Sequence, residues 1–256
     1  MRRRPIPRVL LLVAAALALV PAAALANRMS LFELRTQGLM VFDVLVESNM
    51  SLSNGLIDAY DGCYALRVAG TEVLTPSVTF LFAGRGVQSP RIDVGGETKV
   101  SRQVYVPADA DWARYYDLIV NTSKSARTVT VELYGNLGSD SSTKVTATSD
   151  DDLQVEASDA WLATDDFADG DGDPALAHVY RRQGSKLSPT RVTLDMDNLS
   201  IQWELKLPPQ GRAALLFFAV QTKSGAEAVR LARDLTKLEA GAKAHLSPED
   251  LRLVRN

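Results

Sequence analysis

Between positions 39 and 220 the chain reads as short runs of β-branched and aromatic residues broken by turn residues. Their spacing is about 8 to 12 residues, which indicates a sandwich or barrel. Strands are predicted over 41–47, 64–68, 78–82, 100–106, 114–120, 128–134, 144–148, 175–180 and 191–195. The clearest alternation is 201–207, Ile-Gln-Trp-Glu-Leu-Lys-Leu, where every second side chain is apolar and one face is therefore buried. Pro208-Pro209-Gln210-Gly211 supplies the turn that follows. The next run, 213–220 (Ala-Ala-Leu-Leu-Phe-Phe-Ala-Val), is too apolar for a half-exposed strand and predicts a central strand covered on both sides. Ala69-Gly70 predicts a tight hairpin after 64–68.

The period changes after position 222. Ala228, Leu231, Ala232, Leu235 and Leu238 recur at helical spacing, with Gly241 placed as a C-cap. Ser247-Pro248-Glu249-Asp250 announces a second helix through a capping serine, a first-turn proline and acids at the positive helix end. The fold class expected is therefore mainly β: a large antiparallel β-sandwich over 27–222, with two C-terminal α-helices over 223–256 packed on it.

Residues 1–26 have the three-part form of a secretory signal peptide. Arg2, Arg3, Arg4 and Arg8 precede an apolar run and the small-residue ending Ala24-Leu25-Ala26. The apolar run before Pro21 is shorter than the roughly 20 residues a spanning helix needs, so cleavage after Ala26 is expected. The expected location is secreted or periplasmic. Loss of this segment takes four arginines and leaves 24 basic against 31 acidic residues. An acidic surface with no basic stripe disfavours nucleic acid as a partner. No later run is long enough to cross a membrane.

Asp165-Asp166-Phe167-Ala168-Asp169-Gly170-Asp171-Gly172-Asp173 concentrates carboxylates beside two glycines. Asp165, Asp166, Asp169, Asp171 and Asp173 are candidate ligands for Ca²⁺, which takes six to eight oxygens from a flexible loop. The alternation matches the start of an EF-hand, but Pro174 and Tyr180 stand where that loop needs Gly and Glu. An acidic solvated loop is the competing reading. Trp112 and Trp161 lie near predicted turns and are candidate stacking faces for a glycan, with core packing as the alternative. Cys63 is expected to be buried, and His178 and His245 to have core or surface roles. One cysteine and two histidines exclude a disulfide framework within the chain and a Cys/His zinc cluster. No Gly-x-Ser-x-Gly elbow, Walker loop or His-Glu-x-x-His motif is present.

Tyr105-Val106-Pro107, Val120-Asn121-Thr122-Ser123 and Gly135-Asn136-Leu137-Gly138-Ser139-Asp140 resemble segments of uncharacterised bacterial extracellular β-sandwich modules. That resemblance implies an exported or surface location and carries no catalytic residue. The function expected is a non-catalytic binding or structural protein of the cell envelope or exterior, with a glycan or another envelope component as partner. The alternative is a carbohydrate-active enzyme using paired carboxylates brought together by the fold.

Overall fold

A computed structural model describes residues 30–166 and 172–256. The expected signal segment at 1–26, and Asp169 and Asp171 of the acidic loop, lie outside the described residues. In chain order the strands are β1 (Leu31–Arg35), β2 (Val41–Leu45), β3 (Tyr60–Val68), β4 (Thr71–Glu72), β5 (Thr79–Leu81), β6 (Gly86–Gln88), β7 (Ile92–Asp93) and β8 (Thr98–Tyr105). There follow β9 (Trp112–Asn121), β10 (Arg127–Leu137), β11 (Lys144–Thr148), β12 (Trp161–Asp165), β13 (Ala175–Val179), β14 (Arg191–Asp195), β15 (Asn198–Leu207) and β16 (Arg212–Thr222). The helices are α1 (Gly225–Thr236) and α2 (Pro248–Leu253).

Antiparallel pairing gives a five-stranded sheet, β14-β15-β10-β3-β4, and a nine-stranded sheet, β11-β12-β13-β16-β9-β8-β6-β5 with β7 on β8. A β1–β2 hairpin stands as a third, small sheet. The chain is thus mainly β, an antiparallel sandwich with two helices near its end. The two large sheets bury a common core that includes Tyr64, Val131, Leu133, Trp203, Leu205, Tyr115 and Phe217. A second apolar layer lies on the far face of the nine-stranded sheet, where Trp112, Trp161, Leu216 and Phe218 meet Ala228, Ala232 and Leu235 of α1.

The two layers explain β16. Ala213, Leu215, Phe217 and Ala219 face the inter-sheet core, and Ala214, Leu216, Phe218 and Val220 face the helices, so a run without alternation is buried on both sides. The same cover hides β12, which the pattern does not predict. Leu162 points to one core and Trp161 and Ala163 to the other, leaving no polar side chain on the first three positions to signal a strand. The Ala69-Gly70 hairpin forms with both residues at positive φ, and Val68 pairs with Thr71.

Both helix starts are capped, that of α2 as predicted: Ser247 and Asp250 form a reciprocal capping box, and at α1, where the sequence pattern names no cap, Ser224 accepts from the Glu227 amide. The end of α1 differs. The chain leaves the helix at Lys237, and Leu238, not Gly241, takes the left-handed position (φ 51). The Leu238 amide bonds back to the Leu235 carbonyl, which closes the last turn three residues before the glycine is reached.

Candidate functional site

The outward face of the five-stranded sheet carries no helix in the described contacts, and its polar side chains stand in rows set by strand register. In the first row Glu72, Arg67, Glu132, Gln202 and Arg191 are consecutive cross-strand partners from β4 to β14. The second row holds Ala65, Tyr134, Ser200 and Thr193, and the third Asp61, Asn136, Asn198 and Asp195. Rows on one face are about 7 Å apart along the strands. All of these residues but Arg67 and Gln202 line an open groove of about 630 Å³.

A bulge shapes the groove. Between Tyr134 and Asn136 the β10 strand advances past a longer stretch of β3, from Ala65 to Asp61. Gly62 and Tyr64 take positive φ there. Gly135 (φ 152) packs so closely on Gly62 and Cys63 that a Cβ would strike the Gly62 carbonyl and the Cys63 Cα. Only glycine fits, and the bulge turns Asp61 onto the groove.

Glu132 is the most heavily hydrogen-bonded carboxylate in it. Arg67 Nη1 donates to Oε2 at 2.5 Å, and Ser200 Oγ and Gln202 Nε2 donate to Oε1 at 2.9 and 3.2 Å. Partial burial alone would raise this carboxyl, but the donors from Gln202, Ser200 and Arg67 outweigh it and hold Glu132 below the usual carboxylate range. The Arg67 guanidinium also lies 4.2 Å from the centre of the Tyr134 ring. Tyr134 is hydrogen-bonded to Glu72, and burial followed by the Glu72 charge raises its phenol. Asp61 is shifted the other way from Glu132: partial desolvation, then the charges of Asp58, Asp140 and Asp197, raise it. The groove therefore holds one carboxyl biased towards its proton and one biased against it. Asn136 adds a side-chain oxygen, Oδ1, that has no hydrogen-bond partner.

The tryptophans predicted as ligand faces are elsewhere. Trp112 and Trp161 are 4% and 3% exposed, both on the helix-covered side of the nine-stranded sheet. Trp112 packs edge-on against Tyr105 and Phe218 and lines a cavity of about 390 Å³ with Asp109, Leu235 and Glu239. Trp161 lies under the Arg233 guanidinium, 6.0 Å away. The structure does not bring the two together with the acidic loop into one site.

Of that loop, Asp165 and Asp166 are buried, and Asp173 donates its amide to Asp166 Oδ2 at 3.3 Å. Among the described residues no three His, Cys, Asp or Glu side chains gather to hold a metal ion. Cys63 is fully buried, which pushes its thiol well up. His178 is buried between the sheets, and His245 stacks on Phe82 with ring centres 4.2 Å apart. No helix of the described residues is long and apolar enough to cross a membrane.

The groove residues were invisible as a set because they come from five strands spread between positions 61 and 200. The available signal was Glu132 and Tyr134 on alternate outward positions of one strand beside Gly135.

No family model and no curated protein matches the chain. Among solved structures, a heparan sulfate lyase from Pedobacter heparinus is similar to 77% of this chain, with a TM-score of 0.51 and 9% identity; the match spans 36% of that protein. A structure described as an aldose 1-epimerase from Escherichia coli K12 matches 76% of this chain and 99% of its own, with a TM-score of 0.48 and 8% identity. Another so described, from Klebsiella pneumoniae, matches 80% and 82%, with a TM-score of 0.46 and 8% identity. These likenesses are of fold. The expectation of a non-catalytic binding or structural module is corrected: the fold is shared with a solved structure described as a heparan sulfate lyase.

Proposed function

We propose that the chain is a carbohydrate-active enzyme whose substrate lies along the groove on the five-stranded sheet. The observation that carries this reading is the uncovered groove in which strand register sets Asp61 and Glu132 on one face, the first raised by partial burial and neighbouring carboxylates and the second lowered by its three donors. Environments that push two acids apart are how one site obtains both a proton donor and a standing charge. The carbohydrate class is supported by the names of the similar solved structures.

In this reading Asp61 exchanges a proton with the substrate. Glu132, kept ionised by Arg67, Ser200 and Gln202, accepts hydrogen bonds from sugar hydroxyls away from the reacting bond. Asn136 and Asn198 supply amide groups at the Asp61 end. The register sets Asp61 and Glu132 two rows apart, about 13 Å along β10. That is longer than the roughly 5 to 10 Å of two carboxylates flanking one glycosidic bond. The arrangement therefore suits proton transfer by Asp61 alone, with Glu132 binding further along the substrate.

The reading places the enzyme outside the cytoplasm, delivered by the segment 1–26, and takes a glycan as its partner. The test is turnover of a panel of free aldoses, oligosaccharides and uronate-containing polysaccharides by the purified protein. Asp61→Asn is expected to lower kcat by about 10²- to 10⁴-fold while the chain stays folded. Absence of turnover on the whole panel, or full activity in Asp61→Asn, overturns the proposal.

A further inference from the structure

We propose that a hard divalent cation of the Ca²⁺ class binds where three loops meet at one rim of the sandwich, held by the carboxylates of Asp166 and Asp173 beside Asp58 and Asp140. The loops are those before β3, between β10 and β11, and between β12 and β13. They are locked together locally. A Cβ on Gly138 would strike the Asp58 carbonyl, so the second loop lies directly on the first. The Asp173 carboxylate takes a backbone hydrogen bond from Asp58, which ties the third loop to the first.

Asp166 is the observation that points to a ligand. Its side chain is 4% exposed, its Oδ2 accepts from the Asp173 amide, and its Oδ1 is buried with no hydrogen-bond partner. A buried carboxylate oxygen left without a partner is costly, and a cation is the partner its charge calls for. The charged groups that act most strongly on Asp173 are Asp166, Asp58 and Asp140, all carboxylates. Those acting most strongly on Asp61 are Asp58, Asp140 and Asp197. Carboxylates whose strongest charged neighbours are other carboxylates repel one another unless a cation lies between them.

Two carboxylate ligands, Asp166 and Asp173, are fewer than the three-residue cluster that is absent among the described residues. Ca²⁺ fills its six to eight positions with backbone carbonyls and waters as well as carboxylates, whereas Mg²⁺ demands a tighter octahedron. The open junction therefore favours the larger ion.

The test is calorimetric titration of CaCl₂ into the full chain after chelation and removal of the chelator, paired with thermal melts. One Ca²⁺ per chain is expected, with the midpoint raised by about 5 °C at saturation and a weaker response to Mg²⁺. Asp166→Asn and Asp173→Asn are each expected to weaken binding at least tenfold, and Asp152→Asn, in a separate acidic turn, to leave it unchanged. No binding at millimolar CaCl₂ by the unaltered chain overturns the proposal, whatever the variants do. Unchanged affinity in both Asp166→Asn and Asp173→Asn overturns it as well. The readout is binding, so it is independent of turnover in the groove.

Discussion

Arg102 and Asp117 face each other in register across β8 and β9, deep between the two large sheets, with side chains 1% and 0% exposed. Arg102 Nε and Nη2 donate to the two Asp117 oxygens at 2.9 and 3.2 Å. The remaining donor, Nη1, reaches the Tyr64 carbonyl at 2.6 Å and the Asn49 carbonyl at 3.2 Å. The guanidinium also lies 4.6 Å from the centre of the Tyr115 ring. Removing one partner leaves the other charge buried and alone. Arg102→Met and Asp117→Leu are each expected to cost about 3–5 kcal/mol, and the double variant to recover much of the loss. Urea denaturation of the four proteins reads this as a coupling energy; additive losses would refute it.

His178 makes stability depend on pH. Its ring is fully buried, joined by hydrogen bonds to Tyr64 at 2.6 Å and Thr164 at 3.1 Å, and burial lowers its pKa to about 3. The folded chain thus keeps the ring neutral while the unfolded chain takes a proton near the ordinary histidine value of about 6.5. Between those values the unfolded state binds more protons, so stability is present above about pH 6.5 and falls as pH drops towards 3, by up to about 1.4 kcal/mol per pH unit. His178→Gln is expected to flatten the His178 share of that slope in denaturation curves taken between pH 7 and 5. An unchanged slope would mean that His178 does not titrate this way.

The sandwich was legible because outward polar residues alternate with core residues on strands such as β15, and because the long unbroken apolar run of β16 marks a strand covered on both sides; β12, covered the same way but only five residues long, did not stand out. Trp161 reads as lying near a turn because Leu162 and Ala163 beside it are buried on opposite sides of β12 and give no alternation that would mark a strand. Trp112 reads as a candidate ligand face because it lies near a predicted turn, yet Tyr105 and Phe218 close over it in space. The groove escaped for a different reason. Each of its residues is an ordinary outward polar position, and only the pairing of β3, β10, β15 and β14 sets them side by side. Register of that kind depends on contacts far apart in sequence, which local periodicity does not encode.

Gly135 offers a test of the bulge. Gly135→Ala forces a Cβ into the backbone of Gly62 and Cys63, so β3 must move away from β10. A loss of about 2–4 kcal/mol is expected, from backbone strain and displaced core packing near Tyr64. Gly62→Ala is a useful contrast: its φ is also positive, but nothing lies within 4 Å of the added carbon. It should cost only about 1 kcal/mol. Equal losses in the two variants, measured by thermal melts, would show that the close approach at Gly135 is not what holds the strands.

The pH dependence of turnover separates the roles assigned to Asp61 and Glu132. With Asp61 raised and Glu132 lowered, the active form has the first protonated and the second ionised, so kcat/KM should be bell-shaped within the acidic range. Arg67→Met removes the donor at 2.5 Å and the positive charge that help hold Glu132 down. Glu132 then keeps its proton to higher pH, and the acid limb should move upward while the limb set by Asp61 stays in place. Stability should change by less than about 1 kcal/mol, because the Arg67–Glu132 pair is partly solvent-exposed, at 37% and 16% of the two side chains. If the acid limb stays where it was while the variant is folded, ionised Glu132 is not required for turnover. Should both limbs move together, the two carboxyls titrate as one coupled pair, and the separation of roles along the groove is wrong.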